Sequence, residues 1–333
     1  MKRIPRDPLK FDAFSLLAIY GQQEKIALGP QLIESLVGKI RSSISSSITD
    51  ERFKHGHRVQ AMFEAMVASF GQVQLLKQED AGELYAIDES IEVPDFRIVL
   101  NDGKQLLIEV KNFFQKTDEW EEPFQLPQCY LEGLLKYSSL MKVKVVVAVY
   151  WAKWNSWTLV QLDAFKLQDG RASLLLGEAL MKNEMSILGD RMIGTKFPLR
   201  LKMLVSEAEP RTIGKDGSVT CKFRDIEFYC ADQKILDDVA KNIAWHFMLY
   251  GKWIENAPEA FRTGDQLDSI QFEWMPVEDH KQGFEIVGSL SEMFSSFYNH
   301  MTIDAGELKH IRCEVTPGQW GRLIPDGFHD DAL

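Results

Sequence analysis

Apolar residues recur at helical spacing through HRVQAMFEAMVASFG, where Val59, Phe63, Met66, Val67 and Phe70 fall on one face. The pattern predicts a helix over 54–70 with Gly71 as its stop. Beyond it the period shortens to two. GELYAID and then DFRIVL alternate apolar with polar side chains, and Asn101-Asp102-Gly103 ahead of KQLLIEVKNF has the chemistry of a tight hairpin turn. Two strands, a turn and a third strand are expected. Pro127 opens a second helical segment, with Tyr130, Leu131, Leu134 and Leu135 on one side and Glu132 four residues before Lys136 on the other. KVKVVVAVYWA is a nearly unbroken β-branched run, the pattern of a strand covered on both faces, and WTLVQLDAF adds an edge strand. The order over 54–163 is therefore helix, three strands, helix, strand, with a further strand at the edge, which makes a compact α/β unit of domain size.

The flanks read differently. The serine-rich RSSISSSITD at 41–50 separates an N-terminal helical segment from this unit. Downstream, FPLRLKMLVSE and SVTCKFRDIEFYC flank a Gly-Lys-Asp-Gly turn as a second hairpin. DQKILDDVAKNIAWHFMLYG places Ile235, Leu236, Val239, Ile243 and Phe247 on one helical face and closes at Gly251. Ser289 with Glu292 forms a capping box opening a helix through Tyr298. The expected organisation is a helical segment over 1–50, an α/β core over 51–165, and a C-terminal mixed α+β region over 166–333 suited to substrate or partner recognition, homodimer contacts included. With 333 residues, one large or two medium domains are expected.

Composition narrows the class. Hydrophobic residues at 45% and charged residues at 26% fit a water-soluble globular chain. The longest apolar runs, VVVAVYWA and FSLLAIY, fall well short of the roughly 18 residues of a membrane span, and no signal core follows the basic N-terminus, so the cytoplasm is the default address. Net charge is −11, so any site for a polyanion has to be local. Lys2, Arg3, Arg6 and Lys10 make the N-terminus basic, Arg52, Lys54 and Arg58 lie further on, and Asp118, Glu119, Glu121 and Glu122 make 117–122 acidic. Cys129, Cys221, Cys230 and Cys313 show no CxxC spacing, which argues against a zinc knuckle and a disulfide framework alike. His310 and Cys313 could ligate a metal, but no second pair accompanies them.

The hairpin carries the chemistry. Asp95 begins one strand and Glu109 and Lys111 lie near the far end of the next, so an antiparallel turn brings these ends together. Side chains alternate across a strand, so Glu109 and Lys111 share one face and Val110 points to the other. Two neighbouring carboxylates repel unless a proton or cation intervenes, and oxygen ligands suit Mg²⁺ or Mn²⁺. A lysine beside such an ion can orient a water and stabilise charge developing on a phosphate.

Pro94-Asp95 followed by Glu109-Val110-Lys111, within this order of elements, resembles the PD-(D/E)xK nuclease superfamily of restriction-endonuclease-like fold. The resemblance covers about a third of the chain. It implies that Asp95 and Glu109 ligate Mg²⁺ or Mn²⁺, with the Val110 carbonyl as a further ligand and Lys111 as the catalytic lysine. Many members add a glutamate from the preceding helix, and Glu64 is the residue placed to match it. The implied activity is metal-dependent phosphodiester hydrolysis, with DNA preferred over RNA on the resemblance alone and endonuclease preferred over exonuclease because no ATPase or helicase motif accompanies it.

Blander readings stand beside these. Glu109 and Lys111 could be a solvated strand face, and Glu64 an ordinary surface glutamate. Gln128 could reach a phosphate or simply meet solvent. Trp151, Trp154 and Trp157 could stack on bases or pack at an edge, and His55 with His57 reads as a surface pair. Arg200 with Lys202, and Lys222 with Arg224, each give one strand of the second hairpin a basic face, and whether the faces coincide depends on register. The competing function is a catalytically silent nuclease-like fold serving as a nucleic-acid-binding or assembly subunit. A transcription-factor-like DNA binder lacks a helix-turn-helix pattern.

Overall fold

The computed structural model describes residues 12–80, 85–116 and 121–323. The chain begins with α1 (Asp12–Glu24) and α2 (Pro30–Thr49), and the serine-rich stretch expected to separate segments is the last part of α2. Serine tolerates a helix when its hydroxyl meets solvent, and residues 41–46 are exposed. Asp50 caps α3 (Glu51–Phe70) by accepting from the Phe53 N–H at 3.1 Å. The helix stops at Gly71, whose φ of 79° is a left-handed conformation that glycine adopts without strain.

The first strand is a correction. GELYAID forms no strand among its described residues: Tyr85 and Ile87 are 90% and 107% exposed, and residues 82–84 lie outside the described set. The strand is instead β1 (Val73–Gln78), immediately after the helix, where only Val73 is fully buried and the alternation is correspondingly faint. It pairs antiparallel with β2 (Phe96–Leu100), which turns through Gly103, φ 85°, into β3 (Gln105–Phe113). A short β4 (Phe124–Pro127) leads into α4 (Gln128–Met141), then β5 (Lys144–Trp151) and β6 (Ser156–Gln161). The sheet order is β1-β2-β3-β5-β6, with β3 and β5 parallel and the other neighbours antiparallel. In α4 the buried positions are Leu131, Gly133, Leu134 and Tyr137, while Leu135 is exposed. Lys136 reaches Asp88 at 2.9 Å instead of Glu132.

β5 is apolar on both faces because both are covered. Val146, Ala148 and Tyr150 face a core shared with α3, and Val145, Val147, Val149 and Trp151 face a second core built with α4. Trp151 and Trp157 are buried, their indole N–H groups donating to Thr158 and Ser295, so neither is open to bases; Trp154 packs against the α4-side core.

Further along come β7 (Lys166–Gln168), β8 (Arg171–Leu174), α5 (Leu176–Met181), β9 (Met192–Thr195), β10 (Leu199–Val205) and β11 (Phe223–Cys230). The second hairpin is thus present as β10 paired with β11. Gln233–Ile235 forms β12, and α6 starts only at Asp238 (Asp238–Tyr250), because Asp237 caps it through the Ala240 N–H. Ile235 is therefore a buried strand residue, while Leu236 and Val239 are exposed. β13 (Trp253–Glu255), β14 (Glu259–Thr263) and β15 (Gln266–Pro276) complete a sheet of order β12-β11-β10-β15-β13, with β14 also pairing with β15. After β16 (Glu285–Ser289), the capping box of Ser289 and Glu292 opens α7 (Leu290–Thr302) as expected.

The apolar core does not break at residue 165. One cluster runs from Val59, Phe63 and Val67 of α3 through Ile243 and Phe247 of α6, Phe294 and Tyr298 of α7, to Trp320 and Leu323. The N–H groups of Gly318 and Gly321 bind the Ala68 and Ser69 carbonyls, so the chain's return closes the exposed end of α3. Arg58, a candidate nucleic-acid contact by sequence, joins α3 to α7 instead. It is 3% exposed, donates to Thr302 Oγ1 at 3.0 Å and to Asn299 Oδ1, and lies over the Tyr298 ring. Burial lowers its pKa.

Arg58→Ala should accordingly lower the unfolding free energy by about 3 kcal/mol, the scale for stranding buried polar partners and opening a void. Lys54→Ala, a turn earlier and paired only with Glu51, should change it by less than about 0.5 kcal/mol. Urea unfolding measures both, and a wild-type midpoint for Arg58→Ala would remove the proposed tie between the helices.

Candidate active site

The β2–β3 register fixes the site. Phe96 opposes Ile108, so one step further Asp95 comes opposite Glu109 at the open end of the hairpin. Asp95 Oδ2 accepts the Val110 N–H at 2.7 Å, which ties the residue before β2 to β3. Ile108 and Val110 point into the core shared with α3. Glu109 and Lys111 point to the other face, where the first turn of α4 presents Tyr130. The alternation expected for this strand is what the chain adopts.

Glu109 is 2% exposed. Its Oε1 accepts from the Tyr130 hydroxyl at 2.6 Å and lies 2.5 Å from Lys111 Nζ, while Lys111 also donates to the Tyr130 oxygen at 3.0 Å. Glu109 Oε2 has no hydrogen-bond partner although it is buried. Burial pushes the Asp95 carboxyl up to about 7, the Glu109 charge adds to this, and the Val110 N–H and Lys111 oppose it. Tyr130 is driven well above the phenol range by burial and by Glu109, so it stays a proton donor.

Two residues here carry no sequence signal as site residues. Tyr130 reads as one member of an apolar stripe, yet its hydroxyl serves Glu109. Gln60, on α3, donates to Asp95 Oδ1 at 2.5 Å. Glu64 lies one turn beyond Gln60 and is not brought to the pair; the Arg312 guanidinium sits 3.0 Å from its Oε2. The helix residue that reaches Asp95 is thus an amide and not a carboxylate. Which residue of α3 meets Asp95 depends on where the helix crosses the sheet, and the sequence does not carry that.

Other candidates lie elsewhere. Gln128 donates along its own helix to Glu132 at 2.8 Å. Arg200 is held by Glu273 at 2.7 Å and Asp232 at 3.1 Å, Lys202 lies over the Phe261 ring, and Lys222 pairs with Glu209 at 2.8 Å. Opposite Arg200 and Lys202 stand Tyr229 and Glu227, and a bulge where Leu204 meets Asp225 and Val205 meets Phe223 leaves Arg224 as the extra residue. The two basic pairs therefore do not form one basic face. His55 lies 3.6 Å from Glu51, and His57 packs against Phe53. Lys2, Arg3, Arg6, Lys10, Asp118 and Glu119 lie outside the described residues.

Among the described residues no three His, Cys, Asp or Glu side chains gather where they could hold a metal ion, and that includes His310 with Cys313. The two carboxylates at 95 and 109 nevertheless suit a single hard cation: they repel each other in its absence, and one buried oxygen lacks a partner. Among the described residues no helix is long and apolar enough to cross a membrane.

No protein-family model matches the chain, and no curated protein matches its sequence. Among solved structures, the chain is similar to Hjc of Archaeoglobus fulgidus, described as a Holliday junction resolvase from an archaeal hyperthermophile, at 17% identity and a TM-score of 0.26. The similarity covers 33% of this chain and 82% of that one.

The raised Asp95 carboxyl has a signed consequence for stability. Between its usual value of 3.8 and about 7, the folded protein keeps a proton that the unfolded chain has released. Stability in EDTA should therefore fall as pH rises through that window and level off above it. Asp95→Asn removes the effect, its amide donating to a flipped Gln60 and its oxygen still accepting from Val110. At pH 8 the variant should be the more stable by about 2 kcal/mol, after allowing for the partial exposure of Asp95, and near pH 4 the two should converge. Parallel stability curves from pH 4 to 8 would mean that Asp95 does not titrate in this way.

Proposed function

We propose that the chain is a metal-dependent nuclease that hydrolyses phosphodiester bonds, most readily as a DNA endonuclease. The observation that carries the reading is Glu109, a buried carboxylate opposite Asp95 with one oxygen held by Tyr130 and Lys111 and the other without a partner. A buried charge left half-satisfied costs stability, and such sites are retained where a ligand completes them. The Pro-Asp and Glu-Val-Lys pattern of the superfamily, on these same residues, supports the same reading.

Asp95 and Glu109, with the Val110 carbonyl, would hold Mg²⁺ or Mn²⁺. Once bound, the ion would polarise the phosphate and ease deprotonation of a water. Lys111, half-buried beside the carboxylates, would place a fixed positive charge where negative charge grows on the phosphate. Gln60 restricts Asp95 from the opposite face of the sheet, so the carboxylates need not reorganise as the reaction proceeds. The region beyond 165 is proposed to contribute substrate or partner contacts.

A second reading is favoured by one observation: Gln60 stands where a third carboxylate would complete the acidic set, and Glu64 is engaged with Arg312. A fold of this kind without turnover would serve as a nucleic-acid-binding or assembly subunit.

Purified protein incubated with duplex, single-stranded and branched DNA in Mg²⁺, Mn²⁺ or EDTA distinguishes the two. Metal-dependent cutting is expected, and Glu109→Gln or Lys111→Ala should each reduce it on the order of a thousandfold while leaving the fold intact. Full cleavage by either variant would remove these residues from the chemistry. Absence of cutting by wild type in both metals would favour the second reading.

A further inference from the structure

We infer that Tyr130 is the positioning residue of this site, fixing Glu109 in one orientation and placing the Lys111 ammonium so that the buried pair is ready for a hard divalent cation. The inference rests on the metal-dependent reading above and adds to it a residue outside the sequence pattern.

Tyr130, Glu109 and Lys111 close a triangle about one atom. The phenol donates to Glu109 Oε1 at 2.6 Å, the ammonium lies 2.5 Å from the same oxygen, and the ammonium donates to the phenol oxygen at 3.0 Å. Lys111 Nζ also lies 4.5 Å from the centre of the Tyr130 ring, which holds the cation against the aromatic face. Turning the Glu109 carboxylate out of this orientation would break two charge-assisted contacts at once, so the oxygen outside the triangle stays where a ligand can meet it.

A second tyrosine on the same helix supplies the comparison. Tyr137, seven residues on and so two turns further along one face, donates to Glu79 Oε1 at 2.8 Å. Arg97 grips that carboxylate, with Nη2 2.5 Å from Oε1 and Nε at 3.2 and 3.1 Å from Oε1 and Oε2. Both clusters consist of a tyrosine, a glutamate and a cation between α4 and the sheet. At Tyr137 both carboxylate oxygens are taken, which makes a closed structural clamp. At Tyr130 one is left over, and the position opposite in the sheet is Asp95. The same device thus appears once sealed and once open, and the open copy is where the second carboxylate stands.

The test compares Tyr130→Phe with Tyr137→Phe in the full chain, with Mn²⁺ affinity read by titration calorimetry independently of cutting. Circular dichroism and thermal melting in EDTA report the fold. Tyr130→Phe should keep the wild-type spectrum and bind Mn²⁺ ten- to a hundredfold more weakly, the scale for losing a group that orients a ligand. Tyr137→Phe should melt at lower temperature and bind Mn²⁺ within twofold of wild type. Wild-type affinity in Tyr130→Phe, whatever its melting temperature, would overturn the inference while leaving the nuclease reading in place. Failure of the wild type itself to bind Mn²⁺ or Mg²⁺ would overturn both.

Discussion

A carboxylate buried in the middle of a sheet is the constraint from which the rest of this structure follows. Removing an ionised carboxylate from water costs several kcal/mol unless partners compensate, and Glu109 has compensation on one oxygen only. Every element around it restricts its freedom. β3 lies between β2 and β5 with apolar side chains packed above and below, α4 brings Tyr130 against it, and the hairpin register brings up Asp95. A loosely packed sheet would let Glu109 turn toward solvent and the arrangement would dissolve. The double apolar cover of β3 and β5 is thus the condition for keeping two acids and a lysine together.

Much of this was legible in the sequence, for physical reasons that can be named. The Asn-Asp-Gly turn dictates the β2–β3 hairpin, because its residues accept the backbone angles such a turn demands, and side-chain alternation then places Glu109 and Lys111 together. The β-branched run of β5 announces a strand covered on both faces. What escaped depended on contacts between distant elements. β1 has a single fully buried residue and so almost no period, whereas the exposed Tyr85 and Ile87 imitate one. Gln60 and Tyr130 are ordinary helix residues until the crossing of each helix over the sheet is known. The sequence pattern runs α6 too far back because Ile235 and Leu236 suit a helix as well as a strand, and the cap at Asp237 decides between them.

The basic pairs of the second hairpin show how tertiary context can cancel a local pattern. Arg200 and Lys202 do alternate onto one face, but their strand lies between β11 and β15, which bring Glu227 and Glu273 to the same face. Arg200 is thereby consumed by Glu273 and Asp232, and Lys222 by Glu209. Such pairs contribute little stability individually, yet a phosphate would have to displace an acid already in place before it gained a contact.

That competition bears on how a chain of net charge −11 could engage a polyanion at all. Affinity for nucleic acid ordinarily comes from lysines and arginines that release counterions, one per phosphate neutralised. Here the hairpin's cations are largely matched internally, Arg58 is sealed between helices, and Lys111 is shared with Glu109. Around Asp95 the field is acidic, with Glu109 and Asp80 both opposing its ionisation. Under the proposed reading, a divalent cation held by Asp95 and Glu109 would offset the negative charge around Asp95, and Lys111 would no longer neutralise Glu109 alone. The substrate would then be drawn to the one place where it is cut, and binding without metal would be weak because the bare site repels it.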